Sequence, residues 1–225
     1  MFDLNVTLNE RIVDLLDGLD AAAIRRDGLA IHTRLKAMAG RYPQVAAASV
    51  FDRDGRLLAM SRAFPVPDIT VTTREDFAGL RSEKAIEQVS RVMIERVAGE
   101  PVFNTAVPRR TAAGKFDGIV PIALRSSYFS AFYRELLGDN PSVSLGLSRS
   151  DGEVLARYPP RPADRMSLAP QSPLREAYSA GRRSGVVEML SGLDQQVKIV
   201  AFRRVGGYPV YVSSGYPITT IWSEW

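Results

Sequence analysis

The stretch Phe51-Asp52-Arg53-Asp54-Gly55-Arg56-Leu57-Leu58-Ala59 sets a tight turn between two apolar runs, and Leu147-Ser148-Arg149-Ser150-Asp151-Gly152-Glu153-Val154-Leu155-Ala156 sets another in the second half of the chain. Asp-Gly supplies the positive φ that a short hairpin turn needs, so each stretch is expected to be a β-hairpin. The sequence that follows each is also alike. After the first come a loop rich in Pro and Thr at 64–73, an expected helix at 74–88 and expected strands at 92–97, 102–108 and 116–124. After the second come a Pro-rich loop at 159–173, an expected helix at 174–180 and expected strands at 185–190, 196–203 and 208–215. Two Asp-Gly turns alone would mean little. The shared order of hairpin, loop, helix and three strands marks an internal repeat.

Upstream of the first hairpin the period is helical. Leu8, Ile12, Leu15, Leu16, Leu19, Ala22, Ala23, Ile31, Leu35 and Met38 recur at intervals of three and four, which predicts one amphipathic helix over 7–38. Such a helix of about 30 residues would be ~45 Å long. Thr7 with Glu10 reads as a capping box, Gly28 as a bend, and Tyr42-Pro43 as the stop. A short helix at 128–137, broken by Gly138-Asp139-Asn140-Pro141, opens the second repeat. The expected organisation is a long N-terminal helix at 1–43, two repeat units at 44–127 and 128–220, and a terminal segment at 221–225.

Composition narrows the chemistry. The 225 residues are 45% hydrophobic and 24% charged, enough to bury a sizeable core. With no cysteine and one histidine, His32, the chain has no thiolate site, disulfide, cysteine nucleophile or multi-histidine metal cage. His32 sits in the periodic helix and reads as a helix-face residue, and no glycine-flanked serine elbow accompanies it. Asp52-Arg53-Asp54-Gly55 imitates the start of a calcium loop, yet Ala63 stands where the bidentate Glu belongs. Neither a catalytic constellation nor a metal or cofactor site is expected.

Of the 29 basic residues 25 are arginine, which favours forked recognition of a carboxylate or phosphate. They are scattered among acids rather than gathered in a stripe with aromatics, so nucleic acid is not the expected partner. No apolar run approaches the roughly 20 residues that cross a bilayer.

Taken in order, several short pieces resemble a known family. They are Val50-Phe51-Asp52-Arg53-Asp54-Gly55-Arg56 with Ser61, Thr73-Arg74-Glu75-Asp76-Phe77, Arg109-Arg110 with Gly114-Lys115-Phe116-Asp117-Gly118, Tyr128-Phe129, Ser150-Asp151-Gly152 and Phe202-Arg203-Arg204-Val205. The chain is similar to the double-Cache, tandem PAS-like sensor domains of bacterial sensor histidine kinases and diguanylate cyclases. The resemblance covers nearly the whole chain and implies an α+β fold: a long N-terminal helix, then two PAS-like units, each an antiparallel sheet with flanking helices. It implies an extracytoplasmic domain between flanking transmembrane helices of an inner-membrane receptor, with a small-molecule ligand in the first unit. Ile221-Trp222-Ser223-Glu224-Trp225 fits the approach to a second membrane span, since tryptophan favours the interface. Asp76 departs from the family's frequent Tyr.

The candidate ligand residues are Ser61, Arg74, Phe77, Asn104, Arg109 and Arg110. Arg74 opens the helix that faces the first sheet, and Asn104, Arg109 and Arg110 lie on or just past its middle strand. Strand alternation lets only one of the two adjacent arginines face a pocket. Arg74 is expected either to hold a small carboxylate or to pair with a nearby acid such as Asp76 or Asp117. A second reading of the same fold is a dimerisation or partner-binding module, with a homodimer formed through the N-terminal helix and no small ligand. The sensor part of a chemoreceptor is a further reading.

Overall fold

Both Asp-Gly turns fold as hairpins, with Gly55 at φ +76° and Gly152 at φ +90°, where a side chain would be strained. The computed structural model describes residues 2–82, 88–97, 99–138, 142–160, 166–192 and 195–223. Strands β1 (Val45–Phe51) and β2 (Leu57–Met60) form the first hairpin, and β7 (Ser144–Arg149) and β8 (Val154–Tyr158) the second. In each, the following loop returns to bridge the turn, Arg56 to Thr70 and Glu153 to Ser167. The chain divides into a first unit, Met1–Arg125, and a second, Ser126–Trp225.

In the first unit, helix α4 (Glu75–Arg81) precedes the short strands β3 (Gln88–Val89) and β4 (Met93–Ile94), then the long pair β5 (Pro101–Arg110) and β6 (Phe116–Arg125). The antiparallel sheet runs β2-β1-β6-β5-β3, with β4 also on β5. In the second unit, α5 (Ser126–Leu137) precedes the hairpin, and α6 (Pro173–Ser179), β9 (Ser184–Leu190), β10 (Val197–Arg204), β11 (Val210–Pro217) and α7 (Ile218–Ser223) follow. Its sheet runs β8-β7-β11-β10-β9, the same path. In both, the last strand inserts beside the first.

The single long helix is not formed. Residues 2–39 make three helices instead: α1 (Phe2–Leu15), α2 (Ala21–Arg26) and α3 (Gly28–Ala39). Two local choices outweigh the continuous apolar period. Gly18 adopts φ +71°, and the Asp20 side chain caps α2 by accepting from the Ala23 backbone N–H at 2.7 Å. The break lets α1 lie on β5 and β6 while α3 lies on β1 and β2, so Leu8, Ile12, Leu16, Ile24, Ile31 and Leu35 are all buried. A straight rod would leave part of that stripe exposed. Thr7 and Glu10 lie inside α1, not at its start.

Elsewhere α4 ends at Arg81, residues 88–89 are strand, and of the expected strand at 92–97 only Met93–Ile94 pairs. Parts of the expected helix at 74–88, of the loop at 159–173 and of the turn at 138–141 fall outside the described residues, as do the Trp222 and Trp225 side chains. His32 donates from Nδ1 to the Met60 carbonyl at 2.8 Å, tying α3 to β2. Asp52 accepts from the Asp54 and Arg56 backbone at 3.0 and 2.8 Å and from Arg25 at 3.0 Å, a closed turn. Among the described residues no helix is long and apolar enough to cross a membrane.

Candidate functional site

Strand β5 presents two chemically different faces. Thr105 and Arg109 reach the N-terminal helices, through Asn9 to the Thr105 carbonyl at 3.5 Å and through Arg109 to the Leu19 carbonyl at 3.0 Å. Asn104 and Ala106, one residue out of step, meet α4 on the opposite face. There Phe77 and Leu80 of α4 pack with Phe51, Val71, Ala106 and Ile119. The Phe77 ring meets Phe116 edge-on at 5.8 Å.

Beside this cluster lies a cavity of about 300 Å³, the size of a small-metabolite pocket. Its wall is mainly apolar, with Phe51, Leu57, Met60, Val71, Met93 and Val102, and one end is polar, with Arg74 and Asn104. Arg74 occupies the N-cap position of α4 but does not cap it. Its guanidinium instead forks onto Asp76, with Nε at 2.9 Å from Oδ1 and a second bond from Nη2 to Oδ2, and it lies 5.7 Å over the Phe51 ring. Asp76 is fully buried and also accepts from the Phe77 backbone at 2.9 Å and from Asn104 Nδ2 at 3.2 Å. Four donors thus surround one carboxylate, as a buried charge demands. Glu95 and Arg96 stand at the rim.

Two of the six candidate residues therefore line this cavity, Arg74 and Asn104, and Phe77 supports the wall from below. Ser61 does not line it: its Oγ accepts from the Ala48 backbone at 2.9 Å and prolongs the β1–β2 ladder. Arg109 faces the other way. It pairs with Asp117 at 2.9 Å, and burial lowers its pKa against the raising effects of Asp117 and Asp52. Arg110 follows a register shift in β5 and donates to the Gly114 carbonyl at 3.0 Å. The sequence reading passes over the apolar wall and the Glu95-Arg96 rim. Alternation along β5, the means of sorting the arginines, also places Val102 beside Asn104; the rim carries no comparable signal, because only two residues of its strand pair.

Residues 126–215 match the dCache_1-like histidine kinase sensor domain family. No curated protein matches the sequence significantly. Among solved structures, the extracellular domain of the histidine kinase rpHK1S-Z16 is 26% identical, with a TM-score of 0.81 over 99% of this chain and 89% of that chain. The ligand-binding domain of the Pseudomonas aeruginosa PAO1 amino acid chemoreceptor PctB, in complex with L-Arg, is 18% identical, with a TM-score of 0.69 over 99% of this chain and 89% of that one. The ligand-binding domain of the Pseudomonas fluorescens chemoreceptor CtaA, in complex with L-leucine, is 18% identical, with a TM-score of 0.64 over 98% of this chain and 88% of that one.

Proposed function

We propose that this chain, a Cache-type sensor domain of the kind found in histidine kinases and chemoreceptors, is the extracytoplasmic input module of a bacterial transmembrane receptor, most simply a sensor histidine kinase. Its ligand is a small carboxylate with an apolar body, of which an apolar amino acid is the type, held in the first unit. The polar end formed by Arg74 and Asn104, with the buried Asp76 bonded to both, in a mainly apolar cavity carries this reading. Because Asp76 already neutralises Arg74, the pocket suits a molecule bearing both charges better than a bare anion. Its carboxylate meets the outer N–H groups of Arg74 and Arg96, its ammonium meets Glu95, and its side chain covers Val71 and Met93.

Binding transmits a signal only if the ligand favours one arrangement of the domain over another. The segments with that leverage are the packed N-terminal helices and the C-terminal α7, which the full-length receptor would join to its membrane helices. Thermal unfolding of the domain against a panel of amino acids and small organic acids tests the proposal. A ligand present at 100 times its dissociation constant adds roughly 2.7 kcal/mol of stability, and Arg74→Ala should abolish the response. A flat profile across the panel, or an unchanged affinity in Arg74→Ala, would overturn the assignment.

A further inference from the structure

Strand β9 forms one edge of the second sheet, and no strand pairs with its outer side among the described residues. It runs in unbroken register with β10, from Ser184 opposite Arg203 to Leu190 opposite Val197. The Arg204 N–H donates to the Arg183 carbonyl at 2.7 Å and the Ser191 N–H to the Gln196 carbonyl at 2.8 Å, so the odd-numbered positions bond inward to β10. Inward and outward bonding alternate along an antiparallel strand, which turns the N–H and C=O groups of Ser184, Val186, Glu188 and Leu190 outward. No hydrogen bond satisfies these groups among the described residues.

Open edges are ordinarily guarded by shortness, proline, lysine, a bulge or a covering element. The other edges have such guards: β3 is two residues long, α2 and α3 pack on β2, and α5 packs on β8. Strand β9 has seven residues with no proline, no lysine and no register shift. Its Val187 and Met189 pack into the cluster beneath α6, while Val186 and Leu190 are exposed on the opposite face. Two charges on that exposed face are unmatched. The Glu188 and Arg203 side chains make no hydrogen bond or ion pair among the described residues. Arg203 stands across from Ser184, about 13 Å along the strands from Glu188, too far for the two to pair within one chain.

We propose that β9 pairs with the β9 strand of a second copy of this chain across a two-fold axis, joining the two second-unit sheets into one antiparallel sheet. Charge selects the register. An axis between the two Val186 residues places Glu188 of each copy opposite the partner's Ser184, with the partner's Arg203 next in that row on β10. Ser184 is short, so Glu188 and Arg203 meet over it across about 10 Å of sheet, and the symmetry forms this pair twice. A register that sets Glu188 against Glu188 is disfavoured, because like charges then stand directly opposite. A two-fold contact through one edge closes at two copies and does not propagate. Since α7 packs on β10 and β11 of the same sheet, the pair also sets the spacing of the two C-terminal helices.

Sedimentation equilibrium of the 225-residue domain tests this, together with cross-linking. Expected is a mass that rises with concentration toward that of two chains, with a dissociation constant of about 100 μM or tighter. Glu188→Arg and Arg203→Glu should each weaken the association about tenfold, and the two together should restore it to within about threefold. The chain has no cysteine, so Val186→Cys sets one thiol beside its own copy, at the ~5.5 Å Cα separation of a bonded pair and within disulfide reach. Mild oxidation should link Val186→Cys into dimers and leave Leu29→Cys on α3 largely monomeric, although both positions are 60% exposed. The proposal is overturned by a domain that stays monomeric over this range, by an association that neither charge exchange weakens, or by a double exchange that restores nothing. Faster linking of Leu29→Cys would overturn it as well, by placing the contact on the N-terminal helices. Should a charge variant fail to fold, the cross-link decides.

Discussion

Asp76 governs what Arg74 can offer a ligand. Its carboxylate is fully buried and holds the arginine by two bonds, so the charge that the sequence suggests for an anion is already matched inside the protein. Asp76→Asn keeps the size and one acceptor oxygen of the side chain while removing its charge. Affinity for a carboxylate ligand should then rise by about tenfold, roughly 1.4 kcal/mol, measured by calorimetry at low salt, while affinity for an uncharged analogue stays put. A fall in both would show that Asp76 orients the ligand itself. Asp76→Ala is different: it strands a three-quarters-buried guanidinium and should cost about 3 kcal/mol of stability in denaturant unfolding. Arg74 and Asn104 were legible as pocket residues because the start of a helix and the parity of a strand can both be read from sequence. Strand parity shows that Arg109 and Arg110 do not both face one pocket, but not that neither lines this one, since a register shift falls between them and nothing in their side chains announces it.

Among the elements, the N-terminal segment shows where periodicity misleads. The apolar spacing of 7–38 is compatible with one rod, but Leu8, Ile12, Leu16, Ile24, Ile31 and Leu35 are buried together only in the broken arrangement; the breaks lie in Gly18, Asp20 and Asp27-Gly28, which are local signals of about 1 kcal/mol each. Tertiary contact decides between the two. Arg109 reaches across to the Leu19 carbonyl and is anchored by Asp117, so the α1–α2 turn is tied to the β5–β6 hairpin. Arg109→Met keeps the packed stem and removes both bonds. It should cost about 1–3 kcal/mol and accelerate hydrogen exchange around residues 16–24, whereas unchanged exchange there would mean that the turn holds itself. Gly118 is a second such point, at φ +122° with its Cα 's missing Cβ position 2.0 Å from the Phe51 carbonyl oxygen. Gly118→Ala must push β6 away from β1, and a loss of at least 2 kcal/mol is expected on urea unfolding. In α5, burial pushes the Tyr133 phenol from 10.0 up to about 12. Between those values the unfolded chain has lost the proton and the folded one keeps it, so stability falls as pH rises through that window, by about 2–3 kcal/mol in all. Tyr133→Phe should flatten the alkaline limb of the stability curve, and a limb unchanged by the substitution would assign it to other groups.

For the molecule as a whole, the repeat was the most legible feature because it is carried by many weak signals in a fixed order, and no single misread element could erase it. The open edge of the second unit was not legible: the apolar run at 185–190 predicts a strand, and only the pairing shows that this strand lies outermost. The same pairing bears on autonomy. Among the described residues every strand of the first sheet comes from Val45–Arg125 and every strand of the second from Ser144–Pro217, so neither of these sheets borrows a strand from the other. Each unit also has its own apolar cluster, around Phe51, Phe77 and Ile119 in the first and around Tyr178, Phe202 and Tyr211 in the second, where the two tyrosine rings stack at 4.0 Å. Units closed in this way are expected to fold alone. Residues 126–225 expressed by themselves should therefore unfold cooperatively, with the amide shift dispersion of a packed sheet. Tyr178→Ala, which removes the centre of that cluster, should cost that fragment about 3–5 kcal/mol while leaving exchange protection of β5 and β6 in the intact chain unaltered. A fragment with collapsed shifts, or loss of protection in β5 and β6 caused by Tyr178→Ala, would show that the two repeats fold as one cooperative body despite their separate sheets.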